Sequence, residues 1–254
     1  MDSKEQRYRK LVEDVKKDYG SRPRSCNSKG ITLTWNEECK EINFWTYWQG
    51  IGNYDASIML VGQDWGASEP ESSVIRNIKE INRGLREDYE RDPGSITDDN
   101  LCSLFSVLGF DISKRCEELF FTNFILGYRS DGLSGNVLRE WLLYDAPFFA
   151  RLVNIIEPKV LICLGRDTFE SVRYACTGRM KHIYGFNRFI ESSDNPVTIP
   201  LQSGKTLTVF AEAHCGRMGT LNRNRTRKDG KLSSNCSLDL QMEDWKRIIP
   251  YLNT

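Results

Sequence analysis

The 254-residue chain has no apolar run near the roughly 18 residues that cross a bilayer. It opens on MDSKEQRYRK, which is charged and lacks an apolar h-region, so no signal peptide is read. Its eight cysteines include no CxxC pair. That excludes a zinc ribbon and a dense disulfide scaffold, and a cytoplasmic protein with reduced thiols is expected. There is no GxGxxG and no P-loop, so dinucleotide and triphosphate binding lack their usual loops. Excess charge is also missing: 35 basic and 35 acidic side chains cancel. A protein that grips polyanions with its whole surface is thereby excluded, while a local basic patch is not. Histidine is scarce, with His182 and His214 the two in the chain. Internal repeats and low-complexity linkers are absent.

What is present suits a folded domain. Hydrophobic residues make up 39% and charged residues 28%, which permits a real core and argues against wholesale disorder. A single domain over residues 1–254 is expected, with residues 1–50 as a helical and aromatic extension packed on it. Short continuous apolar runs mark strands buried on both faces: Ala56 to Val61, Leu119 to Leu126, Val160 to Leu164 and Leu207 to Phe210. Helical patterns lie between them. One covers residues 71–92. Another carries Leu101, Leu104, Phe105 and Leu108 on one face, with Thr97 as its cap. A third runs from Ser134 to Ile156 and holds Pro147, as a kink or as the first turn of a second helix. The alternation predicts an α/β fold: a three-layer α/β/α sandwich around a mainly parallel, four-stranded sheet.

In open parallel sheets, ligands bind beyond the carboxyl ends of the strands. Gly62-Gln63-Asp64-Trp65-Gly66 follows the first strand, Asn123 ends or lies within the second, and His214 follows the fourth. A carboxylate, an amide and an imidazole from three distant stretches are thus directed to one rim. A carboxylate can position water, an amide can read a base edge, and an imidazole can stabilise an oxyanion. The bland readings are a turn or cap for the aspartate and a structural role for the asparagine. His182, in RMKHIYG, has no comparable frame and is read as surface or structural.

These residues resemble the uracil-DNA glycosylase superfamily. Val61-Gly62-Gln63-Asp64 is similar to its first active-site motif, GQDPY in the best-known branch. Phe120-Phe121-Thr122-Asn123 resembles the strand that delivers the uracil-reading asparagine. Glu157 to Gly165 resembles the Pro-Lys pair and apolar strand ending in Leu-Gly. His214 stands where the family has the histidine of its HPSP-type motif. The order holds from about residue 55 to residue 225. The resemblance implies flipping of a nucleotide and hydrolysis of the base–sugar bond to leave an abasic site. Asp64 and His214 would be catalytic, with Gly62, Gln63, Trp65, Gly66 and Asn123 around the base.

Departures from the pattern carry information too. Trp65-Gly66 replaces the Pro-Tyr whose tyrosine excludes thymine, so uracil and 5-modified pyrimidines are both candidate bases. Cys215-Gly216 replaces Pro-Ser. Trp65 or Tyr89 is the candidate for stacking on the base. Leu126-Gly127 stands where one branch has a cluster-binding cysteine, so no iron–sulfur cluster is expected. Metal and cofactor are expected to be absent, since Cys215 beside His214 lacks further donors.

Gly216 to Lys231 (GRMGTLNRNRTRKDGK) follows the histidine and is strongly basic. Arg217, Arg223 and Arg225 are the expected phosphate contacts, and Met218 or Leu221 the wedge that fills the gap left by the base. A monomer that binds DNA, single- or double-stranded, and no membrane is expected. Two rivals remain: a non-catalytic nucleic-acid binder on the same fold, and a small-molecule nucleoside enzyme.

Overall fold

The computed structural model describes residues 2–23, 25–43, 52–65, 73–86, 95–130, 136–225 and 237–252. Its centre is a five-stranded sheet. Strands β2 (Ile58–Gly62), β3 (Leu119–Asn123), β5 (Val160–Leu164) and β7 (Thr206–Glu212) run parallel, and β6 (Val197–Pro200) pairs antiparallel with β7. The spatial order is β3-β2-β5-β7-β6. The expected count of four is corrected to five. The extra strand is an exposed-edge hairpin partner that ends on a proline, and only Ile199 among its residues is buried. Such an edge strand carries no continuous apolar run. A separate two-stranded ribbon joins β1 (Leu33–Thr34) to β4 (Tyr128–Arg129) in antiparallel register.

Alternate strand residues feed two cores, as the pleat requires. Met59, Val61, Phe120, Leu161, Cys163, Val209 and Ala211 belong to one buried cluster. Helices α1 (Lys4–Ser21), α4 (Arg139–Ile156) and α5 (Arg166–Thr177) close that face with Leu11, Phe149 and Phe169 among others. Ile58, Leu60, Phe121, Ile162, Leu164 and Phe210 point the other way. They meet α3 (Ile96–Val107) and α8 (Asp239–Lys246) through Leu104, Phe105 and Trp245. Helices therefore cover both faces of a mostly parallel sheet.

Local chemistry sets the helix ends. Ser3 and Gln6 form a reciprocal capping box on α1. Ser95, not Thr97, caps α3 by accepting from the Asp98 amide. Pro147 lies inside the single helix α4, so no second helix starts there. Gly165, at φ 100°, turns β5 directly into α5, a backbone that disfavours any side chain. The helix expected over 71–92, and expected to be mostly exposed, is corrected to the shorter α2 (Ser73–Asn82), on which Ile75, Asn77 and Ile78 are buried. The short α6 (Phe186–Glu191), α7 (Arg217–Asn224) and α9 (Ile249–Leu252) complete the described helices. No helix among the described residues is long and apolar enough to cross a membrane. Tyr8, Leu11 and Val15 of α1 share the core of Phe120 and Phe149. Most of the aromatic stretch 40–50 lies outside the described residues.

Candidate active site

The carboxyl ends of β2 and β3 are neighbours, with Gly62 and Asn123 in register. A β-carbon on residue 62 would collide with Asn123 Oδ1, so glycine is what lets the amide lie against β2. Pairing continues past the strands: Phe124 N–H donates to the Gly62 carbonyl (2.9 Å) and Ile125 N–H to the Gln63 carbonyl (3.0 Å). These bonds hold the Gln63-Asp64 turn at the rim.

His214 arrives on the chain that leaves β7. Three elements fix its backbone. Gln241 Nε2 donates to the carbonyls of Ala213 (3.0 Å) and His214 (3.3 Å). Asn100 Nδ2 donates to the Cys215 carbonyl at 2.6 Å. Gly219 lies so close to the His214 carbonyl that a β-carbon there would overlap it. The ring itself is oriented by the Gly216 N–H, which donates to Nδ1 at 2.9 Å. An Nδ1 that accepts leaves the proton of a neutral imidazole on Nε2. His214 stands exposed at the rim; partial desolvation by the surrounding protein lowers its pKa from the ordinary 6.5, while the Asp64 carboxylate pulls it upward. The ring is thus favoured as a neutral Nε2–H donor. Glycine at 216 belongs to the same device, because a β-carbon there would stand 3.0 Å from Nδ1 and 3.2 Å from Thr97 Oγ1.

Asp64 is held in a two-point ion pair. Arg129 Nε approaches Oδ1 at 3.3 Å and Nη2 approaches Oδ2 at 3.1 Å. The next residue, Trp65, stacks on Tyr128 with ring centres 5.9 Å apart and planes 28° apart.

Asp64, Asn123 and His214 line one cavity of about 360 Å³, together with Gly62, Gln63 and Trp65. Its remaining walls include Thr97, Asp98 and Leu101 of α3, Phe121 and Cys215. A larger groove of about 960 Å³ shares Gln63, Leu164 and His214 with it. Arg166, Arg188, Arg217 and Met218 line that groove, and Asp167 is the acidic residue among its lining side chains. The two spaces form one depression at the carboxyl edge of the sheet, as the topology of parallel sheets leads one to expect.

The basic segment after His214 divides. Arg217 and Met218 are exposed, with Met218 at 61%, and Leu221 is half-buried on α7. Arg225 is exposed and donates to Asn222 Oδ1 at 3.0 Å. Arg223 is paired within the fold. Its side chain is 2% exposed and binds Asp244 through two nitrogens at 2.7 and 2.8 Å, and Glu191 at 2.8 Å. It locks α7 to α8, and it also forms part of the wall of the groove. Gly66, Tyr89 and the basic residues 227, 228 and 231 lie outside the described residues.

No set of three metal-ligating side chains occurs among the described residues. Cys215 is buried, and burial pushes its thiol pKa up to about 12, so it stays protonated at neutral pH. His182 pairs with Glu170 at 3.1 Å and meets Tyr184 edge-on, on an exposed segment lining neither space. Sequence reasoning missed Arg129, Thr97, Asp98, Asn100 and Gln241. None carries a local signal: Arg129, Asn100 and Gln241 act through partners distant in sequence, and Thr97 and Asp98 face the cavity only through the packing of α3. No protein-family model matches the chain, and no curated protein matches it.

Proposed function

We propose that the chain is a metal-independent DNA glycosylase of the uracil-DNA glycosylase type. It flips a uracil or 5-modified pyrimidine nucleotide out of DNA and hydrolyses the base–sugar bond. The observation that carries this reading is that Asp64, Asn123 and His214, delivered by three different strand ends, line one cavity. The strand arrangement and the order of the motifs agree with it. The parallel strands lie in the order β3-β2-β5-β7, with the motif-bearing β2 inside the sheet.

Breaking the glycosidic bond leaves charge on the base and an oxocarbenium-like sugar. A neutral His214 donates from Nε2 to the pyrimidine O2 as that charge grows. Donors of this kind contribute on the order of 100- to 1000-fold. Neutrality matters here, because the ring is then set by the Gly216 N–H bond to Nδ1 and presents one defined donor. Asp64 positions the attacking water and offsets the positive sugar, a role worth roughly 100- to 10,000-fold. Asn123 offers a donor and an acceptor to the O4/N3 edge. The cavity of about 360 Å³ equals the liquid volume of about 12 waters. A pyrimidine of eight heavy atoms, each smaller than a water, leaves room over. Glycine at position 66, where the resemblance places a tyrosine that excludes thymine, favours bases with a 5-substituent alongside uracil. Trp65, one face of which rests on Tyr128, supplies an aromatic wall. The adjoining groove supplies Arg166, Arg188 and Arg217 for phosphates, and Met218 for the vacated stack.

The test is release of free base from oligonucleotides carrying uracil, a thymine mismatch or a 5-substituted pyrimidine. The expected product is an abasic site, with loss of release in Asp64→Asn and His214→Ala. Salt-sensitive DNA binding with no release from any substrate would replace this reading with a non-catalytic binder. Nucleoside binding without DNA affinity would replace it with a small-molecule enzyme.

A further inference from the structure

We infer that Arg129 is a positioning residue for the hydrolysis, acting through Asp64; the inference rests on the glycosylase reading above. Three observations meet at this residue.

The first is the form of the ion pair. Arg129 Nε and Nη2 face the two different oxygens of Asp64, at 3.3 and 3.1 Å. The two side chains are only 7% and 11% exposed. A guanidinium is a rigid planar fork, so two-point pairing fixes the plane of the carboxylate as well as its location. A carboxylate offers about four lone-pair sites. The fork engages both oxygens, one through each nitrogen.

The second is direction. Asp64 lines the cavity with Asn123 and His214, whereas Arg129 lines neither that cavity nor the adjoining groove. The arginine therefore grips the carboxylate from behind and does not stand where substrate would. Buried ion pairs add little net stability compared with apolar replacements. Orientation is the property that this one supplies.

The third is the way Arg129 is itself held. It lies on β4, which pairs with β1 through Leu33 and Arg129. Ser130 N–H donates to the Thr32 carbonyl (2.9 Å), and Thr32 N–H donates to Ser130 Oγ (3.1 Å). Just before it, Leu126 N–H donates to the buried Asp145 at 2.9 Å. Asp145 also accepts from the hydroxyl of Tyr19 on α1. The Tyr19 ring packs so tightly on Gly127 that a β-carbon there would overlap it. Cys39 Sγ donates to the Tyr128 hydroxyl at 2.9 Å. The segment is thus tied to the N-terminal part of the chain on both sides of Arg129.

A positioning role differs from a merely structural one in how its loss combines with loss of Asp64. The experiment is single-turnover base release, with enzyme in excess, on a substrate that the wild type cleaves. Arg129→Gln and Arg129→Lys are each measured alone and combined with Asp64→Asn. Arg129→Gln is expected to slow release about 100-fold, the scale of a small misplacement of a reacting group. DNA affinity should stay unchanged. Arg129→Lys, which keeps the charge without the fork, should fall between. In the Asp64→Asn background neither variant should slow release further. Unfolding midpoints are measured alongside; should Arg129→Gln not fold, the lysine pair carries the test. Equal losses in both backgrounds, or a wild-type rate in Arg129→Gln, would overturn the positioning role while leaving the glycosylase reading intact. No base release by the wild type from any substrate would remove both.

Discussion

Asn123 Oδ1 occupies the space that a β-carbon on residue 62 would need. The glycine of the first motif therefore serves the amide of the second. Gly62→Ala is expected to swing the amide away from the base edge, since the partner strands are fixed in register. Base release should fall by about 100-fold, with misplacement as the cause. Thermal unfolding should change little if the amide moves and the backbone does not. Single-turnover kinetics and a melting curve together check this; an unchanged rate would mean that Asn123 does not read the base.

His214 provides a prediction with a definite sign. Crowding lowers its pKa below 6.5, and Asp64 opposes that shift. Asp64→Asn should therefore lower the imidazole pKa further, as NMR titration of the ring would show. The linkage to folding follows. A folded histidine with a depressed pKa takes its proton later than the unfolded one, so the unfolded state binds more protons in that window. Stability should decline as pH falls from 6.5 toward the lowered value. His214→Ala should abolish that part of the decline and slow base release by on the order of 100- to 1000-fold. An upward shift in Asp64→Asn would contradict the attraction between the Asp64 carboxylate and the imidazolium.

Arg223 and Arg217 should separate cleanly, although both lie in the same basic stretch. Arg223 is 2% exposed in its pair with Asp244, and removing one partner of such a pair costs about 3–5 kcal/mol. Arg223→Ala should lower the unfolding midpoint in urea. Arg217 is exposed on the groove. Arg217→Ala should leave stability alone, weaken DNA binding, and reduce the salt slope by about 0.9 if it neutralises one phosphate. Parallel denaturation and salt titrations check both.

Glu212 ends β7 with its side chain in the interior, 1% exposed. Burial pushes its pKa well above 4.5, Asp244 adds to that, and Arg247 and Arg223 oppose it. Above 4.5 the unfolded chain loses this proton while the folded chain keeps it. Stability from this group is therefore complete below 4.5 and declines as pH rises toward the raised value. The limiting slope is about 1.4 kcal/mol per pH unit. Glu212→Gln should flatten this decline and stabilise the protein at neutral pH. Urea unfolding across pH measures it; a variant less stable at neutral pH would show that Glu212 is ionised in the fold.

The parts of the fold that could be read from sequence are those with one cause. Val160–Leu164 is apolar throughout because both faces are buried, and its bounds match the run. β6 has two causes in conflict: it is a strand by pairing, but it lies at the edge, half open to solvent, and ends on Pro200. The ribbon of β1 and β4 has two residues on each side, too few for any periodicity. At the site, Asp64, Asn123 and His214 are legible because each ends or follows an apolar strand. Arg129 was not, since an arginine in a polar stretch looks solvated and its partner is 65 residues away. The internal pairing of Arg223 is hidden for the opposite reason. Its neighbours are basic, and only the packing of α7 on α8 turns it inward.

The ribbon has a practical corollary for anyone seeking a minimal fragment. A version trimmed to start just before β2 would retain every strand of the central sheet and all three motif residues. It would have lost Leu33, Thr34 and Tyr19, and with them the scaffold behind Arg129. Such a fragment could look well designed on paper, yet its aspartate would no longer be aimed.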